Sequence, residues 1–234
     1  MATEPLLAED SNDLRRAVID TARAINDAGI NVNKAGNVSV RCTRGRHDGV
    51  LITPTGLGYE TLRPDDLVFL RLADGAPTGR RAASSEWRFH LDILRARPQF
   101  AAIVHTHSPS ATALACHGRA IPPFHYMVAA AGGTDIRCAP YATFGTQALS
   151  DHALAALAGR KACLLAHHGV IACEASLPRA LALAIEVEHL ARMYLAALAL
   201  GEPPRLPDDE MARVLAKFEH YGQPGGAAPA LAEG

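Results

Sequence analysis

Three short β-rich runs, Val38–Cys42, Val50–Thr53 and Leu67–Leu72, follow one another with turn residues between them, and this pattern limits the fold more than any other feature of the chain. Such runs suit an antiparallel meander. The pattern then changes. Trp87–Ala96 has helical spacing and is stopped by Pro98, Ala101–His107 is a β-type run, and Ala148–Ala158 and Pro178–Leu200 read as helices on either side of a further strand, Ala162–Ala172. A meander followed by strands set between helices predicts an α/β fold: a single-domain sandwich with a mixed, mainly antiparallel central sheet covered by helices.

The ends of several elements are also marked. Leu14, Ala17, Val18, Ala22 and Ile25 form one stripe of a first helix, with possible caps at Ser11 to Asp13 and an exit at Gly29. In the longest helix Ser176 suits the cap, Pro178 an opening position and Gly201 the exit. Asp208–His220 makes a last amphipathic helix. After Tyr221, QPGGAAPALAEG (223–234) cannot bury much apolar surface, so one domain is expected over residues 1–221 and a flexible tail over 222–234.

With 234 residues and a formal charge of −1, the chain has the size of one domain and no basic stripe, so small molecules and copies of itself are expected partners rather than nucleic acid. The first residues lack a basic segment leading into an apolar one, and charge or glycine breaks the most apolar stretches, so neither secretion nor membrane insertion is expected. Cys42, Cys116, Cys138, Cys163 and Cys173 are scattered, odd in number and without CxxC spacing; they read as reduced thiols of a cytoplasmic protein.

Chemistry concentrates at the ends of two apolar runs. His105 and His107 are two apart on a strand, so both side chains leave the same face and can grip one divalent metal, although hydrogen bonding alone can also satisfy strand-end histidines. The run ending in His167 and His168 brings a second pair. Adjacent strand residues point to opposite faces, so only one of these can join His105 and His107. Three neutral imidazoles leave a position open for substrate and suit zinc, nickel or cobalt better than calcium or magnesium, with zinc the leading choice.

Glu86, in the first turn of the helix that opens at SSEWRFH (84–90), reads either as a carboxylate favoured by the helix dipole or as an acid/base beside the metal. Ser84, Ser85 and the amides of that helix start offer an anion site, to which the turns at AGNVS (35–39) and TPTG (53–56) can add donors.

In order and spacing, AGNVSVR (35–41), LITPTG (51–56), SSEWRFH (84–90), VHTH (104–107), HYMVAAAGG (125–133), CAPYATFGT (138–146), HHGVIACE (167–174) and KFEHYG (217–222) resemble the class II aldolase/adducin family over nearly the whole chain. The resemblance implies His105, His107 and His168 as zinc ligands, joined by Glu86 when substrate is absent, with Glu86 moving protons at the metal. It implies phosphate near Asn37, Thr55, Gly56, Ser84 and Ser85, Tyr126 as an acid reaching the metal from a neighbouring subunit, and Tyr221 in a segment closing over substrate. A homotetramer with active sites between subunits follows from the same likeness. The implied reaction is reversible cleavage of a ketose 1-phosphate, L-fuculose 1-phosphate or a related deoxy-ketose 1-phosphate, to dihydroxyacetone phosphate and an aldehyde such as lactaldehyde. The departures are extra N-terminal residues, a longer turn at Thr43–Asp48 and the tail, and His117, His125 and His167 read as structural.

Rival readings are a Schiff-base aldolase, a phosphopentose 4-epimerase, a sugar-acid phosphate decarboxylase, a methylthioribulose-phosphate dehydratase, and a non-enzymatic adducin-like module. A Schiff base needs a desolvated lysine, whereas Lys34 lies in a Gly/Asn turn, Lys161 follows Gly-Arg before a strand and Lys217 is on an amphipathic helix. Related epimerases carry aspartate at the position of Glu86, and the adducin head lacks the metal histidines.

Overall fold

The computed structural model describes residues 7–220. Tyr221 and the tail over 222–234 lie outside the described residues. An eight-stranded sheet forms the middle layer, in the order β4-β3-β2-β1-β5-β8-β7-β6. Its strands are β1 (Asn37–Arg44), β2 (His47–Ile52), β3 (Val68–Arg71), β4 (Pro77–Thr78), β5 (Ala102–Thr106), β6 (Cys138–Ala139), β7 (Ala162–Leu165) and β8 (Gly169–Glu174). Every pairing is antiparallel except that of β6 with β7.

The meander anticipated from the sequence is β1 to β3. Within Thr43–Asp48 both strands run on to the pair Arg44↔His47 and leave only Gly45 and Arg46 outside the ladder. Gly45 supplies the positive φ of 59° that so tight a turn requires.

Alternation along the strands makes two cores. Val38, Val40 and Cys42 of β1, Ala102 and Val104 of β5, and Val170 and Ala172 of β8 face α1 (Asn12–Asp27), α3 (Pro109–Cys116) and α5 (Leu177–Leu198). Ile103, Ile171 and Cys173 face the opposite way, with Phe89, Ile93 and Leu94 of α2 (Trp87–Ala96) and Leu149 and Ala153 of α4 (Gln147–Ala156). β5 is apolar on both faces because it is covered on both. Each of its large side chains contributes about 1.5–3 kcal/mol by leaving water.

The single strand expected over Ala162–Ala172 is two strands. The chain reverses through Ala166 to His168, with His167 at a φ of 56°, and β7 pairs with β8 from Ala162↔Ala172 to Leu165↔Gly169. The hairpin is hard to read from the sequence because the left-handed residue of the reversal is His167 instead of a glycine. The helix α3 has no apolar stripe against a polar face in PSATALAC, and only Ser108 and Pro109 at its start mark it. Its N-terminus is held by α5: Glu188, only 2% exposed, accepts hydrogen bonds from the amides of Ser110 and Ala111, both at 2.9 Å. The last helix, α6 (Asp208–His220), packs beside a 3₁₀ segment at Tyr126–Ala131.

Candidate metal centre and active site

The carboxyl-terminal end of β5 lies between two close backbone approaches. A Cβ on Gly36, just before β1, would stand 2.4 Å from the carbonyl oxygen of His105, and one on Gly169, at the start of β8, would stand 2.3 Å from that of Thr106. Only glycine fits at these positions. The two strands thus clamp β5 where its histidines leave it. His105 is fully buried, and its Nδ1 donates to the carbonyl of Val170 at 2.8 Å. A carbonyl only accepts, so the proton sits on Nδ1 and the Nε2 lone pair is free to ligate.

His107 and His168 complete a propeller around that lone pair. The ring centroids are 5.0 Å apart for His105 and His107 and 4.9 Å for the other two pairs, with interplanar angles of 77°, 76° and 77°. His105 Nε2 and His107 Nε2 face each other at 3.1 Å. His168 arrives from the β7–β8 turn, and the left-handed backbone of His167 turns that neighbour outward to solvent against the ring of Tyr141. Only one of the pair joins the cluster, as the sequence implied, but the cause is this turn and not strand alternation.

Glu86 comes from the opposite layer. It is the N-cap of α2, one residue before the first turn in which the sequence placed it, and its side chain caps nothing. Its carboxylate turns inward, with Oε2 3.2 Å from His105 Nε2 and Oε1 2.9 Å from His168 Nε2. Burial alone raises the pKa of Glu86, but its interactions with His105 and His168 outweigh it and hold the carboxyl well below the usual range. Burial, aided by His105 and His168, pushes His107 down to about 4. Anionic carboxylate and neutral imidazole are the ligating forms. The four candidate ligand atoms lie within 4.8 Å of one another, and the buried Oε1 accepts no hydrogen bond. Lone pairs facing one another in a buried space, with one oxygen unsatisfied, fit a divalent cation of the kind that three nitrogens and a carboxylate bind.

The anion-site candidates form a ridge beside this cluster. Ser84 N donates to Thr53 O at 3.0 Å and Thr55 N to Ala82 O at 3.1 Å, which ties the TPTG turn to the approach to α2. Thr55, Gly56 and Ser85 are exposed, while Ser84 is buried and its Oγ accepts from the amide of Glu86 at 3.3 Å. Asn37 lies deeper, with its side-chain amide bonded to Glu86 and His90.

Residues 16–195 match the family described as Class II Aldolase and Adducin N-terminal domain. The chain belongs to the class II aldolase and adducin family. A 5-methylthioribulose-1-phosphate/5-deoxyribulose-1-phosphate aldolase of Rhodospirillum rubrum is 57% identical over 209 residues, covering 89% of this chain and 92% of its own. An L-fuculose phosphate aldolase of Escherichia coli strain K12 is 50% identical over 214 residues, covering 91% and 97%. Among solved structures, an L-fuculose 1-phosphate aldolase superposes with a TM-score of 0.84 at 36% identity, covering 91% of this chain and 98% of its own. This member of the family is therefore a class II aldolase, a metal-dependent carbon–carbon lyase.

In this aldolase the structure brings together His105, His107, His168 and Glu86, but not Tyr126. Tyr126 is 51% exposed at the start of the 3₁₀ segment, and its hydroxyl bonds to none of the four. Sequence reasoning missed three residues near the site. Lys34, set aside as a turn residue, reaches the anion ridge with Nζ donating to Gly56 O at 3.0 Å. His90 and Ser39 are fully buried and bonded to each other behind Glu86. The signal for His90 was present: Glu86 and His90 are four apart, the spacing of neighbours on one helix face.

Proposed function

We propose that the protein catalyses reversible aldol cleavage of a ketose 1-phosphate, L-fuculose 1-phosphate or a shorter deoxy relative, giving dihydroxyacetone phosphate and an aldehyde such as lactaldehyde. The observation that carries this reading is the convergence of three imidazoles and a buried carboxylate on one point beside a ridge of hydroxyls and amides. His105, His107 and His168 would hold the ion, with Glu86 as the fourth ligand before substrate enters; zinc is the leading choice for this donor set. The ion would supply Lewis-acid stabilisation of the charge that develops on the ketose half when the carbon–carbon bond opens.

The chain's own groups do the rest. Thr55, Gly56, Ser84 and Ser85, with Asn37 at the deep edge, receive the phosphate and hold the reacting carbons in place. Glu86 returns a proton to the dihydroxyacetone phosphate carbon in cleavage and removes it in condensation. Tyr126, contributed by a neighbouring subunit of a homotetramer, handles the proton on the aldehyde oxygen; its exposure supports this assignment. Tyr221 would close over substrate. Five free cysteines, three of them buried, suit a reducing cytoplasm, and among the described residues no helix is long and apolar enough to cross a membrane.

A specific observation favours 5-deoxy-pentulose phosphates over fuculose phosphate: the 57% identical relative is named for 5-methylthioribulose 1-phosphate and 5-deoxyribulose 1-phosphate, against 50% for the fuculose phosphate enzyme. Cleavage rates on L-fuculose, 5-deoxyribulose and 5-methylthioribulose 1-phosphates, followed by dihydroxyacetone phosphate release, test the reading. Release from at least one supports it. Release from none, with epimerisation or dehydration instead, overturns it.

A further inference from the structure

Behind Glu86 runs a chain of hydrogen bonds that crosses from sheet to helix and involves nothing on the surface. Ser39 Oγ lies 2.7 Å from His90 Nδ1, His90 Nε2 is bonded to Asn37 Oδ1, and Asn37 Nδ2 donates to Glu86 Oε2 at 2.9 Å. Ser39 and His90 are fully buried and Asn37 is 3% exposed.

The direction of every bond follows from its last member. A carboxylate only accepts, so the amide nitrogen of Asn37 must face Glu86 and its oxygen must face His90. That oxygen also only accepts, so Nε2 of His90 carries the ring proton. Nδ1 is then an acceptor and takes the hydroxyl proton of Ser39. Each donor points toward Glu86. Burial, with a smaller contribution from His105, lowers the pKa of His90 to about 3, in keeping with a neutral ring of fixed tautomer.

We infer that Ser39, His90 and Asn37 form a positioning relay that holds Oε2 of Glu86, leaving Oε1 as the oxygen that exchanges the proton with substrate. Oε1 is buried, accepts no hydrogen bond and faces the ring of His168, whereas Oε2 is already occupied by Asn37. Asn37 thereby serves two purposes: one N–H of its side-chain amide holds Glu86, and the second remains available to the anion site. His90 is a positioning residue in this scheme, since it touches neither substrate nor metal ligands directly.

The inference rests on the aldolase reading, and one experiment separates the two. Zinc-loaded wild type, Ser39→Ala, His90→Gln and His90→Phe are incubated with dihydroxyacetone phosphate in heavy water, and exchange of the carbon-bound proton is followed by NMR. Metal content and the affinity for inorganic phosphate are measured on the same samples. His90→Phe should slow exchange on the order of 10–100-fold, the usual cost of losing a residue that orients a reacting or ligating group. His90→Gln, whose amide can still donate to Asn37, should recover part of that loss, and Ser39→Ala should show a several-fold defect with the fold intact. Phosphate affinity and zinc content should be unchanged in all three. Exchange at the wild-type rate in Ser39→Ala and His90→Gln, with phosphate binding weakened instead, would overturn the relay. Wild type that exchanges no proton would sink the aldolase reading and the relay with it.

Discussion

Glu86 and His168 meet from opposite layers of the fold, Oε1 to Nε2 at 2.9 Å, one from the cap of α2 and the other from the β7–β8 turn. In the proposed reaction this carboxylate, which caps no helix and faces a ring of imidazoles, would be the base at the substrate carbon. Glu86→Gln should therefore lose proton exchange on dihydroxyacetone phosphate while His105, His107 and His168 still bind zinc. Tyr126→Phe keeps base and metal, so exchange should continue while cleavage falls by roughly 10²–10⁴. Equal loss of exchange and cleavage in the Tyr126 variant would contradict this division of roles.

Ser84, proposed to bind phosphate, also accepts the amide of Glu86 at the start of α2. Ser84→Ala should raise KM for the ketose phosphate by the equivalent of about 1–3 kcal/mol, the scale of a charge-assisted contact, with zinc content unchanged. Competition by inorganic phosphate reads this directly, and an unaltered inhibition constant would move the anion site elsewhere.

Two histidines make the fold acid-sensitive. His107 and His90 take up protons near 4 and 3 in the folded chain, against an ordinary value of 6.5. Between those limits the unfolded chain binds more protons than the folded one, so stability falls as pH drops below about 6.5. Glu86, whose folded pKa is depressed, adds a second loss at lower pH, beginning near its ordinary value of 4.5. Metal retention should fall in the same direction, because protonated imidazole does not ligate. Thermal melts with a zinc assay from pH 7 to 4 check this; a midpoint and zinc content flat over that range would contradict it.

Gly169 tests the clamp on β5. A methyl group there would stand 2.3 Å from Thr106 O and 3.0 Å from His107 Cδ2. Gly169→Ala should cost about 1–3 kcal/mol of stability by overpacking and weaken zinc binding through His107 and His168. A variant as stable and as zinc-avid as wild type would show that the close approach is not needed.

How much of this the sequence carried depended on distance along the chain. Runs ending in His105, His107 and His168 were readable because an apolar strand closing on histidine is a local pattern, and α2 and α5 announced themselves through spacing and caps. The meander was equally local. The β7–β8 reversal was hidden because its left-handed residue is His167 instead of a glycine, and α3 is too short and too uniformly small to show a stripe. The bond of Asn37 to Glu86 joins residues 49 positions apart, which no spacing rule reaches. Strand register makes it possible: Asn37 is the cross-strand partner of His105, so it shares that residue's face of the sheet, the face on which α2 lies.

Bond cleavage should depend on an ion held by His105, His107, His168 and Glu86 and not on a covalent lysine intermediate. The direct measurement is cleavage of 5-deoxyribulose 1-phosphate by chelator-stripped enzyme, then with one equivalent of zinc restored, each with and without borohydride. The stripped enzyme should show negligible activity, recover on zinc addition, and be unaffected by borohydride. Activity that survives stripping, or irreversible loss in borohydride with a modified Lys34, Lys161 or Lys217, would contradict it.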